Sequence, residues 1–197
     1  MSFKIIASVG LGIGFGYLFL SPDILQHTDI IIDIGLCILL FFVGIDMGRN
    51  KEAFSKIKKM GLKILLVPFM IGLGSIIGSV VGGFLLNLPV NESSAVGAGF
   101  GWYTLSSMML MKYSSELSAL AFISNVAREI IALISIPFIA RYIGDLEAIS
   151  PAGATAMDTS LPIISNATNS KTAIIAFITG VILSSSVPIL VPILINL

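Results

Sequence analysis

Two ionisable residues, Arg128 and Glu129, lie side by side near the middle of the apolar stretch 117–143. A charged side chain at the centre of a bilayer costs roughly 2.5–3.5 kcal/mol on insertion scales, so such residues persist mainly where they face a packed interior or a watery cavity. Neighbouring positions on a helix point in different directions, and each residue therefore needs a partner elsewhere. The arginine could hold a carboxylate, and the glutamate could bind a cation or carry a proton. The alternative is a structural pair that locks two helices together.

The helix that carries this pair has one polar face. Small and polar residues recur at spacings of three and four, which places them on one stripe of a helix. They are Ser118, Ala121, Asn125, Arg128, Ala132 and Ser135. Glu129 comes four residues after Asn125 and flanks the stripe. The pattern predicts a helix whose polar stripe, with Asn125 as a further binding candidate, faces the protein interior or a water-filled cavity.

A second candidate site is the polar segment 150–171, which follows an apolar run and precedes another. Pro162 lacks the N–H that would bond the carbonyl of Asp158, so we expect a free acceptor beside this carboxylate. Broken helices of this kind build substrate and ion sites at the midplane of secondary transporters. An ordinary polar loop is the alternative. The binding candidates in this segment are Asp158, Thr155, Thr159, Asn166 and Asn169.

The segment 95–111 is also interrupted and polar, because three glycines precede Trp102 and Tyr103. These aromatic residues are typical of the membrane interface. Two interrupted segments on either side of one charged helix suggest an internal repeat.

A further candidate is Asp46, near the end of the second apolar stretch. Its carboxylate could attract a cation or carry a proton at the mouth of a cavity. An interfacial acid that pairs with Arg49, three residues later, is equally compatible with the sequence.

The composition identifies the class of protein. The chain is 56% hydrophobic and 11% charged, with a mean hydropathy of +1.02, whereas soluble domains carry about 25% charged residues. The net charge of +0 argues against a nucleic-acid partner. One cysteine and one histidine exclude a disulfide framework and give no metal cluster. The sequence has no HExxH, Walker or triad motif, so we expect no enzyme activity and no cofactor.

The apolar stretches predict the fold. A spanning helix needs about 20 apolar residues, and the stretches that meet this requirement are 3–20, 29–49, 61–86, 117–143 and 172–195. We predict an all-α polytopic integral membrane protein, a single transmembrane transporter domain over residues 1–197. It has five full transmembrane helices plus two short broken or re-entrant helical segments, 95–111 and 150–171, in an order compatible with an inverted-repeat transporter core.

Lysine and arginine residues predict the orientation. They concentrate in the loop 49–63, which the positive-inside rule places in the cytoplasm. We therefore expect a multi-pass protein of the plasma (cell inner) membrane, surrounded by lipid, with a cytoplasmic N-terminus and an external C-terminus. Lys112 is inside only if 95–111 crosses, and Arg141 is inside only if it does not. The charge count does not decide between the two topologies.

Four motifs together resemble the LysO-type lysine exporters over essentially the whole chain. They are GIDMG, GFGWYTLSS, SNVAREI and PAGATAMDTSLP followed by NSK. The resemblance implies export of L-lysine and analogues such as thialysine from the cytoplasm, with intramembrane acids at Glu129 and Asp158. Longer members carry roughly another hundred residues before this region, enough for three or so spans. We therefore expect a small helical membrane partner, or a homo-oligomer, that completes the fold.

The candidate residues are chemically compatible with lysine. Its α-carboxylate suits Arg128 or a half-helix N-terminus, and its ammonium groups suit Glu129 and Asp158. A carboxyl group in a dry site takes up a proton more readily, which makes proton-coupled export a natural mechanism. One alternative is a cation/proton antiporter in which Asp158, Asp46 and Glu129 bind Na⁺ or H⁺. Another is a membrane subunit or scaffold that does not itself transport.

Overall fold

The computed structural model describes residues 61–197 continuously and a few helical positions between residues 11 and 45. The chain divides into two units, residues 1–40 and 41–197. In the first unit, the positions described within residues 11–38 are helical. The predicted spans 3–20 and 29–49 are largely outside the described residues, and Asp46 is wholly outside them. The architecture given below is that of residues 61–197.

Six α-helices follow one another in this region. A 3₁₀ turn, Leu62–Leu65, leads into the first helix. The helices are α1 (Leu66–Leu85), α2 (Val90–Gly97), α3 (Tyr103–Leu110), α4 (Ser115–Tyr142), α5 (Leu161–Ala167) and α6 (Ser170–Ile195). Two further 3₁₀ turns, Glu147–Ile149 and Gly153–Met157, lie between α4 and α5. Residues 61–197 contain no β-strand.

Three of these helices are long and apolar enough to cross a membrane. The helices α1, α4 and α6 have 20, 28 and 26 residues. At about 1.5 Å per residue each reaches the roughly 30 Å thickness of a hydrocarbon core. They confirm the last three predicted spans. The side chain of Ser114 caps the start of α4, and that of Asn169 caps the start of α6, so both helices begin at side chains that accept backbone N–H groups.

The pair α2–α3 forms a first hairpin, residues 90–113, whose two ends lie at the C-terminal end of α6. Asn91 Nδ2 donates to the carbonyl of Ile195 at 3.1 Å, and Asn196 Nδ2 donates to Tyr113 Oη at 3.0 Å. Each of its two helices has eight residues and is therefore about 12 Å long, too short to cross. This hairpin enters and leaves at the same end of α6.

A second hairpin, residues 145–169, lies at the opposite end of α6. Asn169 Nδ2 donates to Asp145 Oδ2 at 2.5 Å, which joins the two ends of the hairpin beside the first turn of α6. Each interrupted segment therefore returns to the end of α6 at which it begins. They enter from opposite ends of α6, which is the arrangement that an inverted repeat produces.

The two hairpins meet at their tips. The backbone N–H of Ala154 donates to the carbonyl of Phe100 at 2.8 Å. Phe100 is fully buried and has a φ of +50°. Gly101 in the same tip and Gly153 in the tip of the second hairpin also have positive φ values, +99° and +60°. A side chain at position 153 would overlap with the carbonyl oxygen of Phe100 and would lie 2.9 Å from Nη2 of Arg128. Position 153 must be glycine, because only a hydrogen atom fits where the two hairpin tips touch.

An apolar core supports the second hairpin. It consists of buried side chains from α4, α5, α6 and the two 3₁₀ turns, and its larger members are Ile136, Ile149, Ile164, Ile175 and Ile178. Two sets of contacts therefore hold the tip of this hairpin. One is its packing against the apolar core, and the other is its contact with Phe100.

One backbone prediction is wrong. The carbonyl of Asp158 is not free, because it accepts the N–H of Leu161 at 3.2 Å. The physical reason is that α5 begins at Leu161, so Pro162 lies in the first turn of the helix. A proline there removes an N–H that has no intrahelical partner in any case.

We expect Gly180→Ala to destabilise the protein by about 1–3 kcal/mol, because overpacking forces the backbone to move. A Cβ at this position of α6 would overlap with the backbone nitrogen of Met157 and would lie 2.9 Å from the carbonyl oxygen of Ala154. The matched control is Gly82→Ala in α1, where no described atom lies within 4 Å. The control should be neutral or stabilising by up to about 1 kcal/mol. Thermal unfolding in detergent measures both, and equal midpoints would contradict this packing.

We also expect positions 112 and 171 to lie on opposite sides of the membrane. Lys112 adjoins Tyr113 at the C-terminal end of α6, and Lys171 is in the first turn of that helix. In a Cys37→Ser background, a membrane-impermeant thiol reagent should label Lys112→Cys in intact cells and Lys171→Cys only after permeabilisation. Labelling of both positions from the same side would show that 95–111 crosses.

Candidate functional site

The middle of α4 faces the place where the hairpin tips meet. Asn125 is 4% exposed. Its Oδ1 accepts the backbone N–H of Gly101 at 2.7 Å, and its Nδ2 donates to the carbonyl of Ala121 at 2.8 Å. The same Nδ2 lies 3.4 Å from the carbonyl of Val96. Asn125 therefore satisfies backbone groups where the first hairpin is broken.

Arg128 joins α4 to α1 and to the second hairpin. Its Nε donates to the carbonyl of Pro151 at 3.0 Å, its Nη1 to Ser75 Oγ at 2.5 Å and its Nη2 to the carbonyl of Ser150 at 3.4 Å. All three acceptors are neutral, and no carboxylate of residues 61–197 pairs with the guanidinium. Arg128 thus holds the broken backbone in place and is not the partner of Glu129 or Asp158.

The guanidinium also borders a groove between α1 and α4 of about 860 Å³. Its lining is mostly apolar, with Ser75, Ser124 and Ser150 as the neutral polar residues. A guanidinium has five N–H donors, and Arg128 uses three of them in the contacts given above. A carboxylate that entered this groove would find the remaining donors of a cation without a counter-ion in the described part of the chain.

Glu129 differs from Arg128 in its contacts with the described residues. Its side chain is 8% exposed, and it has no hydrogen bond or ion pair with any residue that the structure describes. An unpaired buried carboxylate costs several kcal/mol. A bound proton or a bound cation removes that cost. Within residues 61–197, Glu129 is therefore a buried acid that is not part of a structural ion pair.

Asp158 and Tyr103 lie close to Glu129. Asp158 is exposed in the second hairpin, and its Oδ1 accepts the backbone N–H of Thr159 at 2.5 Å. Both carboxylates are near enough to act electrostatically on the phenol of Tyr103, the first residue of α3. Two carboxylates, one from α4 and one from the second hairpin, thus lie within electrostatic range of the phenol of the first hairpin. The sequence marks Tyr103 only as an aromatic residue, so its position here could not be read from its type.

The other predicted residues occupy different parts of the second hairpin. Thr155 is buried at the tip, with its Oγ1 2.8 Å from Ser160 Oγ, and Thr159 is exposed beside Asp158. Asn166 is exposed in the last turn of α5, and Asn169 caps α6. The structure therefore brings together Asn125, Arg128, Glu129, Asp158, Thr155 and Thr159 around the tips. Asn166 and Asn169 lie at the open end of the hairpin.

The described residues contain no group of three or more His, Cys, Asp or Glu side chains that could hold a metal ion. The oxygen-rich arrangement at the hairpin tips has two carboxylates, from α4 and from the second hairpin, and a phenol. This set is suited to an organic or monovalent cation.

Known proteins resemble this chain over most of its length. A sequence profile of the family described as "Lysine exporter LysO" matches residues 6–195. The protein "Lysine exporter LysO" of Escherichia coli (strain K12) is 33% identical over 191 residues, which cover 96% of this chain and 62% of that relative. A "Putative lysine exporter" of Haemophilus influenzae is 34% identical over 158 residues, 79% of each chain. No solved structure matches the sequence significantly.

The chain thus spans less than two thirds of the Escherichia coli relative. The family profile, in turn, covers nearly all residues of this chain. The match includes α1, both hairpins, α4 and α6. This chain therefore belongs to the lysine exporter LysO family, a family of transporters and not of enzymes.

Proposed function

We propose that this chain exports L-lysine from the cytoplasm across the plasma membrane, in exchange for protons, with Glu129 as the group that binds cation and proton in turn. The family supports export of lysine, and the observation that carries the mechanism is the buried Glu129 carboxylate without a partner in the described part of the chain. The three long apolar helices support a multi-pass membrane protein.

The proposed mechanism gives the charge of Glu129 a mobile partner. Within residues 61–197 the adjacent Arg128 is not a fixed partner, because it is bonded to Pro151, Ser150 and Ser75. The carboxylate is therefore stabilised either by a proton or by the ammonium group of a substrate. Alternation between these two states exchanges one positive charge for another, and this is the elementary step of a proton-coupled exporter.

The two adjacent charges of α4 match the two kinds of charge in lysine. Successive residues of an α-helix are about 100° apart around its axis, so Arg128 and Glu129 face different surroundings. Arg128 has unused donors for the α-carboxylate, while Glu129 and Asp158 suit an ammonium group. Thialysine replaces one methylene of the side chain by sulfur and keeps all charges, so the same site accommodates it.

The orientation follows from the basic loop before α1. If residues 49–63 are cytoplasmic, the second hairpin enters from the cytoplasm and the first from outside, and the N-terminus is cytoplasmic and the C-terminus external. The match to only 62% of the Escherichia coli relative is the reason that we propose a small helical membrane partner or a homo-oligomer in the complete transporter.

Replacement of Glu129 by Gln should abolish pH-dependent L-lysine efflux from loaded vesicles, because the amide neither takes up a proton nor pairs with an ammonium group. The matched control is Glu116→Gln, the same change at an exposed position in the first turn of α4. We expect the control to retain wild-type efflux. Elution profiles in detergent should show that both variants remain folded.

Each other outcome identifies a different function. Unchanged efflux by the Glu129→Gln variant contradicts the role of this residue. A sodium-dependent proton flux without lysine indicates a cation/proton antiporter. Full transport by a partner protein alone, with Arg128→Ala tolerated, indicates a subunit that does not transport.

A further inference from the structure

We propose that Tyr103 is a specificity-determining residue of this site, which selects the primary ε-ammonium group of lysine by accepting one of its hydrogen bonds and by contacting it with an aromatic ring. This inference rests on the proposed function, since it names the part of the substrate that the site recognises. Tyr103 is not among the binding candidates that charge and polarity indicate in the sequence.

The position of Tyr103 is fixed by the first hairpin and by α4. Tyr103 begins α3 immediately after the hairpin tip. Its ring packs against that of Phe122 in α4 with centroids 5.5 Å apart and an angle of 83° between the planes. Phe122, Asn125 and Glu129 lie three and then four residues apart, so they share one face of α4. The stack therefore places the phenol along the same face of the helix as the Glu129 carboxylate.

The hydroxyl group of Tyr103 is free to bind a ligand within the described structure. The side chain is half-buried, and its hydroxyl makes no hydrogen bond with any described residue. Both Glu129 and Asp158 act electrostatically on this hydroxyl. An edge-to-face pair with Phe122 occupies at most one face of the tyrosine ring, which leaves the other face for a cation.

The combination of groups matches one kind of cation. A primary ammonium has three N–H donors, and the Tyr103 oxygen and the two carboxylates within its electrostatic range are acceptors for them. A quaternary ammonium has no donors, so it gains from the ring and the negative charges but not from the phenol oxygen. Removal of the phenol oxygen alone should therefore weaken binding of a primary ammonium and leave binding of a quaternary ammonium almost unchanged.

The test compares Tyr103→Phe with wild type in the full-length chain, purified in lipid nanodiscs. Binding of radiolabelled L-lysine is measured by equilibrium dialysis, and Nε-trimethyl-L-lysine is measured as a competitor. We expect the Kd for L-lysine to rise about tenfold, which corresponds to about 1.4 kcal/mol. We expect the affinity for the trimethylated compound to change less than about twofold.

The matched control is Tyr113→Phe. Tyr113 ends the same hairpin and its hydroxyl contacts Asn196 at the end of α6, so its loss should leave both affinities as in wild type. Unchanged lysine affinity in Tyr103→Phe overturns this inference, and so does an equal loss for both ligands, which would reveal a purely structural role.

Failure of this inference is distinguishable from failure of the proposed function. If the wild-type chain does not bind L-lysine, or if Glu129→Gln binds it as well as wild type does, the proposed function is wrong. If wild type binds L-lysine, Glu129→Gln does not, and Tyr103→Phe behaves as wild type, only the role of Tyr103 is wrong.

Discussion

Hydrocarbon offers no hydrogen-bond partners, so a chain that breaks at membrane depth has to satisfy its backbone groups inside the protein. The two hairpins meet this constraint at their tips. The carbonyl of Phe100 accepts the N–H of Ala154, Asn125 accepts the N–H of Gly101, and Arg128 donates to the carbonyls of residues 150 and 151. Two interrupted segments and one continuous helix thus supply the partners that lipid cannot, and the positions of Asn125, Arg128 and Thr155 depend on the contact between the hairpin tips.

The same constraint separates the roles of the two charges on α4. Arg128 disperses its charge over neutral oxygens of the second hairpin and of Ser75, so it stabilises broken backbone without a counter-ion. Glu129 accepts no hydrogen bond from the described residues. The contacts of the arginine are thus architectural, whereas the proposed role of the carboxylate is to bind a mobile cation or proton. Adjacent charges in a sequence need not form one functional unit.

The sequence predicts those features that depend on local pattern. Apolar length defines α1, α4 and α6, spacing of three and four places Asn125 and Arg128 on one stripe, and glycine and proline mark the two interruptions. Features that depend on contacts between residues far apart in the sequence cannot be predicted from local pattern. The re-entry of both hairpins follows from amide contacts at the two ends of α6, and charge counting left it undecided. The error at the carbonyl of Asp158 has the same origin, since the start of α5 at Leu161 decides its partner. The sequence gives no signal for Tyr103 as a candidate, because the two carboxylates within its electrostatic range come from other elements.

Entry of the hairpins from opposite ends of α6 is also what the proposed transport mechanism needs at the place where their tips meet. Each half-helix of the first hairpin is about 12 Å long, which is less than half of a hydrocarbon core of roughly 30 Å. The contact between Phe100 and Ala154 is a single backbone hydrogen bond, and the net contribution of such a bond is about 1 kcal/mol. This hydrogen bond by itself thus adds little resistance to a shift of one hairpin against the other, while the bonds made by Arg128 and Asn125 keep each tip intact. Rigid tips joined by a weak contact are what alternating access requires, because the site must open to one side while its own geometry is preserved.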